Sequence, residues 1–310
     1  MIALRQMLNN SQANQVKRTP GHRSLLKKIR PAACWLLALL VFFPARIAVA
    51  ALDNELQPLP PESVLTGRLG AVGMVIAGRG ESLSMASGFL VSPCHVLTAA
   101  HVLARVGEKV QLGTSARFVP EGGKNAAIAE RSVWGKVVAA SPDFIMTATP
   151  GRFDMQTIAQ DWGLIELDRP VADIAPIKLL FSGSKIASTA RLAIVGYPAG
   201  APGHLLHAHE HCRHWSSFHG TEELPGVVIA DCAVRAGMSG GPMFLEGGLQ
   251  PVAAGIVVER FEIGTKIMAV GVSIAAFADS IDAAMRASEV CAVGSPFVWP
   301  PATGDTQQNY

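Results

Sequence analysis

From about Leu69 to Val272 the chain alternates short apolar runs with Gly, Pro, Ser and Asp. The runs Ala71–Ala77, Gly88–Val91, Gly163–Leu167, Leu192–Gly196, Gly226–Ala230, Val252–Val258 and Ile267–Val272 are four to seven residues long and rich in Val and Ile. Segments this short do not sustain ordinary helices, and β-branched side chains suit a pleated, half-buried surface. Many such runs, closely spaced between turn residues, predict an all-β barrel or sandwich. A helical period emerges only near the end, where Phe277, Ile281, Ala284 and Met285 fall on one face behind Ser273, a residue type suited to capping. Between Asp168 and Gly183 the periodicity lapses around two prolines, dividing the body into halves of similar size. The proline-containing tail from Pro296 onward reads as loosely ordered.

Ahead of this body lies one continuous apolar stretch, Ala32 to Phe43, closed by Pro44 and Arg46. A bilayer span takes about 20 residues, so the stretch is too short to cross comfortably. Eight of the 26 basic residues precede residue 51 and none of the 24 acidic ones does, leaving 18 against 24, a net of −6, in the remainder. A basic segment, a short apolar run and then Ala48-Val49-Ala50 is the layout of a secretory signal peptide cleaved after Ala50. The expected organisation is a signal over 1–50, an N-terminal segment over 51–68, two body halves over 69–175 and 176–290, and a tail over 291–310. A mildly acidic exported chain gives no electrostatic case for nucleic-acid binding. No membrane span is expected after cleavage. Cys34 leaves with the signal, and Cys94, Cys212, Cys232 and Cys291 remain, an even number that suggests two disulfides and allows three pairings.

Three local patterns carry the candidate chemistry. Ser87 to His101 (SGFLVSPCHVLTAAH) leads an apolar run into a histidine that follows Thr98-Ala99-Ala100. Asp161-Trp162-Gly163-Leu164-Ile165-Glu166-Leu167-Asp168 sets an acid directly before an apolar strand. Gly237-Met238-Ser239-Gly240-Gly241-Pro242 places a serine among glycines. A serine hydroxyl becomes a competent nucleophile when an imidazole accepts its proton. The imidazole in turn needs a carboxylate on its other nitrogen to fix its tautomer. Glycine beside the serine lets backbone amides face a developing oxyanion. His95 competes with His101, and Asp143 and Asp154 compete with Asp161. Only His101 ends the TAAH pattern, and only Asp161 directly precedes the strand.

The order His, Asp, Ser within TAAH, DWxLIxLD and GxSGGP resembles the trypsin-like serine proteases of the chymotrypsin fold, over roughly Leu69 to Met285. The resemblance implies an all-β molecule of two six-stranded antiparallel β-barrels with a C-terminal helix. It assigns His101 as general base, Asp161 as its orienting acid and Ser239 as nucleophile, with the amides of Gly237 and Ser239 as the oxyanion hole. No cofactor is expected, and the partners are protein or peptide substrates. Met238 stands where the digestive enzymes carry an Asp that pairs with a liberated N-terminus, and no IVGG-like start occurs in the mature segment. Some other device must therefore order the oxyanion loop. Val102 replaces the cysteine that often follows the histidine. These departures are similar to the bacterial exported branch, which implies a Cys212–Cys232 disulfide and leaves Cys94 with Cys291.

By the same resemblance Ala233 lies at the base of the primary specificity pocket, and Val257, Val258 and Glu259 form a wall. With no carboxylate at 233, an apolar or small residue on the acyl side is expected. Six of nine histidines crowd between His204 and His219. A strand over Leu205 to Cys212 would put His207, His209 and His211 on one face. With no carboxylate or cysteine to complete a site, the face reads as a solvated outer strand, and no metal is expected. The rival to an exported serine endopeptidase is a catalytically latent protease-like binding protein.

Overall fold

The computed structural model describes residues 56–59, 66–79, 82–120, 132–147, 155–180, 183–201, 205–216, 225–248, 250–263, 266–288 and 290. The expected signal, the tail and Cys291 lie outside the described residues. Seven early strands are β1 (Gln57–Pro58), β2 (Val72–Arg79), β3 (Ser82–Ser92), β4 (His95–Thr98), β5 (Ser115–Pro120), β6 (Val133–Ala140) and β7 (Gly163–Leu167). Six of them close into a barrel in the order β2-β3-β4-β7-β6-β5, every pair antiparallel. Phe89, Leu97, Phe118 and Leu164 are fully buried in the walls of this barrel, while Leu83 and Met85, near the start of β3, are exposed.

The second half contains β8 (Lys178–Leu179), β9 (Arg191–Gly196), β10 (His207–Arg213), β11 (Val227–Ala230), β12 (Pro242–Leu245), β13 (Val252–Ile263) and β14 (Lys266–Ser273). Their sheet runs β1-β10-β9-β12-β13-β14-β11, with β8 paired in parallel to β13. An isolated antiparallel bridge between His214 and Ala230 joins the end of β10 to β11. Six antiparallel strands, β9 to β14, thus return on themselves. The chain therefore has the expected all-β architecture, a closed six-stranded barrel followed by a second antiparallel sheet. No helix among the described residues is long and apolar enough to cross a membrane.

Several expectations shift in detail. Strand β7 coincides with the expected run Gly163–Leu167, but β13 extends five residues past Val258, through a segment that mixes charged and apolar side chains. Helix α1 (Ala100–Leu103) and α2 (Met155–Ile158) are single turns too short to leave a period. Ser273 precedes a 3-10 turn, Ile274–Ala276, and makes no side-chain cap; helix α3 (Ala278–Arg286) begins after Phe277. Ile281 is the buried anchor of α3. Phe277 stacks flat on Trp162, ring centroids 4.7 Å apart, and so joins the C-terminal helix to the residue after Asp161.

The histidine face dissolves in β10. Its register with β9 shifts between His209 and Cys212, and His211 adopts φ +63. This bulge breaks the two-residue alternation on which the shared face depended. His207 is buried and bonds the Leu205 carbonyl through Nδ1 at 2.9 Å. His209 Nδ1 accepts the Ala233 amide at 2.6 Å. His211 is exposed and meets Glu246 Oε2 through Nδ1 at 2.9 Å. His209 does lie beside Cys212 and Cys232, but the two cysteines are bonded to each other.

Candidate active site

His101 is the second residue of α1, three positions past the end of β4, whose four residues are all buried. Asp161 sits two residues ahead of β7, the strand that pairs with β4 through Thr98 opposite Gly163. The ladder therefore brings acid and imidazole together, although 60 residues separate them. Asp161 is 0% exposed. Its Oδ1 accepts the His101 amide at 2.8 Å and its Oδ2 lies 2.6 Å from His101 Nδ1. An ionised carboxylate only accepts, so Nδ1 carries the proton and Nε2 keeps its lone pair. That is the tautomer a general base requires. Asp143 is exposed and Asp154 lies outside the described residues.

His95 occupies a different niche on the same hairpin. It is 1% exposed, its Nδ1 is 2.7 Å from Ser92 Oγ, and its Nε2 finds no hydrogen-bond partner among the described residues. Burial lowers its pKa from 6.5 to about 4, against a smaller upward pull from the Glu166 charge. It is a packed, neutral histidine.

The glycines around Ser239 perform two distinct tasks. Gly237 has φ +89, a region L side chains rarely adopt, and a Cβ there would stand 2.6 Å from the Tyr197 carbonyl oxygen. At Gly240 a Cβ would come within 2.1 Å of the Ser87 carbonyl oxygen and 2.2 Å of Thr98 Oγ1. Only a bare backbone lets the residue after Ser239 press against the strand end that leads into His101. In this way the sheet loop and the barrel hairpin meet.

The amides of the loop are aimed by their carbonyls. A trans peptide points its N–H opposite its C=O, and no cis bond occurs among the described residues. Ala236 C=O accepts the Ala199 amide at 2.7 Å, which fixes the peptide carrying the Gly237 N–H. Met238 C=O accepts the Gly241 amide at 2.9 Å, which fixes the peptide carrying the Ser239 N–H. Among the described residues neither the Gly237 nor the Ser239 amide donates a hydrogen bond. Two N–H groups are thus left available on either side of Met238. Met238 itself is fully buried within the core of the second sheet. Apolar burial thus anchors the loop at Met238.

The expected pocket residues divide. Val257 brackets the serine loop, its carbonyl accepting from Gly240 and its amide donating to Gly241 C=O, both at 2.8 Å. It packs in one apolar cluster with Ala233, whereas Val258 packs in the other. Glu259 is half-buried, and its Oε1 accepts the Arg260 amide at 2.9 Å. Cys212 and Cys232 form the disulfide that the resemblance implied, directly before Ala233. Cys94 is also disulfide-bonded, but its expected pairing with Cys291 involves a residue outside the described set. Sequence reasoning did not find the anchors at Ala199, Tyr197 and His209. Each acts through a backbone contact made by folding, with no motif to mark it.

A family model described as a trypsin-like peptidase domain matches residues 86–249. No curated protein matches the chain by sequence. Among solved structures it is similar to AL20, a thermostable serine protease from an extremophilic microorganism, at 18% identity and TM-score 0.51 over 68% of this chain and 94% of that one. It is similar to a Glu endopeptidase at 16% identity and TM-score 0.51, over 74% and 96%. It is also similar to human heparin binding protein at 14% identity and TM-score 0.53, over 75% and 96%. At these identities the structural likeness shows the fold alone.

Proposed function

The chain belongs to the trypsin-like peptidase family, and from that premise we propose that it is an exported serine endopeptidase acting through Ser239, His101 and Asp161. The observation that carries this reading is the pair of hydrogen bonds from His101 to the buried Asp161 carboxylate, at 2.8 and 2.6 Å. They leave Nε2 as the basic nitrogen.

Ser239 Oγ bonds to the scissile carbonyl carbon as its proton passes to His101 Nε2. The carbonyl oxygen takes the negative charge and receives the Gly237 and Ser239 N–H groups, each such donor contributing about 3 kcal/mol to lowering the barrier. The C–N bond then breaks while Nε2 returns the proton to the departing amine. Water repeats the sequence on the acyl-enzyme and releases the acid. Asp161 keeps its charge throughout and stabilises the imidazolium. The pocket based on Ala233 suits an apolar or small side chain in protein or peptide substrates. Export follows from the basic leader, its short apolar run and Ala48-Val49-Ala50, and the mature chain begins near Ala51, with body halves over 69–175 and 176–290.

The test is to expose the mature chain and its Ser239→Ala variant to a fluorophosphonate probe and a mixed peptide library. Labelling and cleavage by the parent alone support the reading. A folded parent that neither labels nor cleaves replaces it with the latent, binding-protein alternative.

A further inference from the structure

The residue before Ser239 is the buried, uncharged Met238, which supplies no ion pair to order the oxyanion loop, so the loop needs another tether. Ser87 of β3 provides one. It is 0% exposed and belongs to the barrel, not to the sheet that carries the loop. Every polar group it has is used across that boundary or toward His101. Its hydroxyl donates to the Gly237 carbonyl at 2.8 Å and accepts the Tyr197 amide at 2.9 Å. Its amide donates to the Ser239 carbonyl at 2.9 Å. Its carbonyl accepts the Thr98 hydroxyl at 2.8 Å, three residues before His101.

We infer that Ser87 is a positioning residue, a clasp that sets the oxyanion amides and Ser239 in register with His101. The inference rests on the assignment of Ser239 as nucleophile. The physical argument is one of tolerances. A catalytic constellation must hold to about 0.5 Å, and here its members come from two separately built sheets. Tyr197 and Gly237 lie on the two backbone segments whose close approach, seen at the Gly237 Cβ position, shapes the oxyanion loop. One hydroxyl joins both segments to the barrel. Its two bonds span 110 and 150 residues of sequence. Removing it takes from the part-buried Gly237 carbonyl and the buried Tyr197 amide their bond to the barrel, and the loop relaxes. The base and acid keep their own contacts, so the loss falls on oxyanion binding.

The experiment compares the parent with Ser87→Ala, Thr98→Val and Ser92→Ala, the last a buried serine of the same strand that bonds His95 instead. Folding is followed by circular dichroism and thermal melting, and active sites are titrated with a fluorophosphonate. Then kcat, KM and the affinities of a peptidyl aldehyde and its matched alcohol are measured. The aldehyde forms an oxyanion-like adduct and the alcohol does not.

Ser87→Ala is expected to lower kcat about 10- to 100-fold with KM within about threefold of the parent. Aldehyde affinity falls in parallel and alcohol affinity does not. Ser92→Ala lowers the melting temperature and leaves kcat unchanged. A folded Ser87→Ala with parental kcat and aldehyde affinity overturns the inference while leaving the Ser239 reading intact. If Ser87→Ala does not fold, Thr98→Val decides: a kcat loss of about threefold or more, again with parallel loss of aldehyde affinity, supports the clasp, and none overturns it. A parent that resists the fluorophosphonate overturns the nucleophile assignment and this inference with it.

Discussion

The base and the nucleophile of the candidate site are held in contrasting ways. On the barrel side, one buried carboxylate fixes His101 through two hydrogen bonds, and the next residue, Trp162, stacks on Phe277. On the sheet side the contacts that hold the loop are neutral ones. Ser239 and its amides are set by pinned carbonyls, by bare glycine backbone and by the buried Met238. The first arrangement concentrates its stabilisation in one ionised group, the second spreads it over many neutral contacts. Concentrated electrostatics in a water-free setting are strong and brittle. Distributed packing is weaker per contact and degrades gradually.

The largest break in that comparison is Asp161→Asn. An amide donates where the carboxylate accepted, so His101 adopts the wrong tautomer, and kcat is expected to fall about 10^4-fold with little change in KM. Steady-state kinetics on a peptide substrate measure it, and a loss below about tenfold would mean that the barrel side is not organised around this one charge. Next is Phe277→Ala, which removes the buried ring stacked on Trp162. Urea unfolding should show a loss of about 4 kcal/mol, together with a change in Trp162 fluorescence.

Lowering the pH attacks the barrel hairpin through His95. Burial holds its folded pKa at about 4, below the ordinary histidine value of 6.5, so the unfolded chain takes up a proton first. Stability therefore falls as pH drops from about 6.5 toward 4 and levels off below. The loss is about 3 kcal/mol. Urea unfolding across that range should be steeper for the parent than for His95→Leu, and identical slopes would remove His95 as the cause. The smallest effect belongs to the sheet's outer strand. His211→Gly relieves a left-handed backbone at φ +63 while removing an exposed pair with Glu246. The two nearly cancel, within about 1 kcal/mol in the same unfolding assay.

Those contrasts also explain how far the sequence could be read. Residues that act through local pattern were visible. Asp161 announces itself by preceding an apolar strand, and Ser239 by its glycines. The β7 strand was legible to both ends because Gly163 and Asp168 bound a run buried on every face. The β10 strand was misread because a bulge is set by its partner β9, and nothing in His207–Arg213 advertises a left-handed His211. The helix start was misplaced because Ser273 remains in β14 and extended backbone. Ser87 was in plain view as a residue of the first motif. Its role depends on partners more than a hundred positions away, which no local pattern encodes.

The Trp162–Phe277 stack also bears on how the protein comes into being. Synthesis runs from the N-terminus, and the barrel with its acid is complete in sequence by Leu167. The ring that stacks on Trp162, the neighbour of Asp161, arrives only at position 277, after Ser239 and the whole second sheet. A nascent chain thus carries all three candidate groups before that stack can form. If the proposed peptidase activity depends on it, that order delays full activity until the chain itself has nearly finished being made.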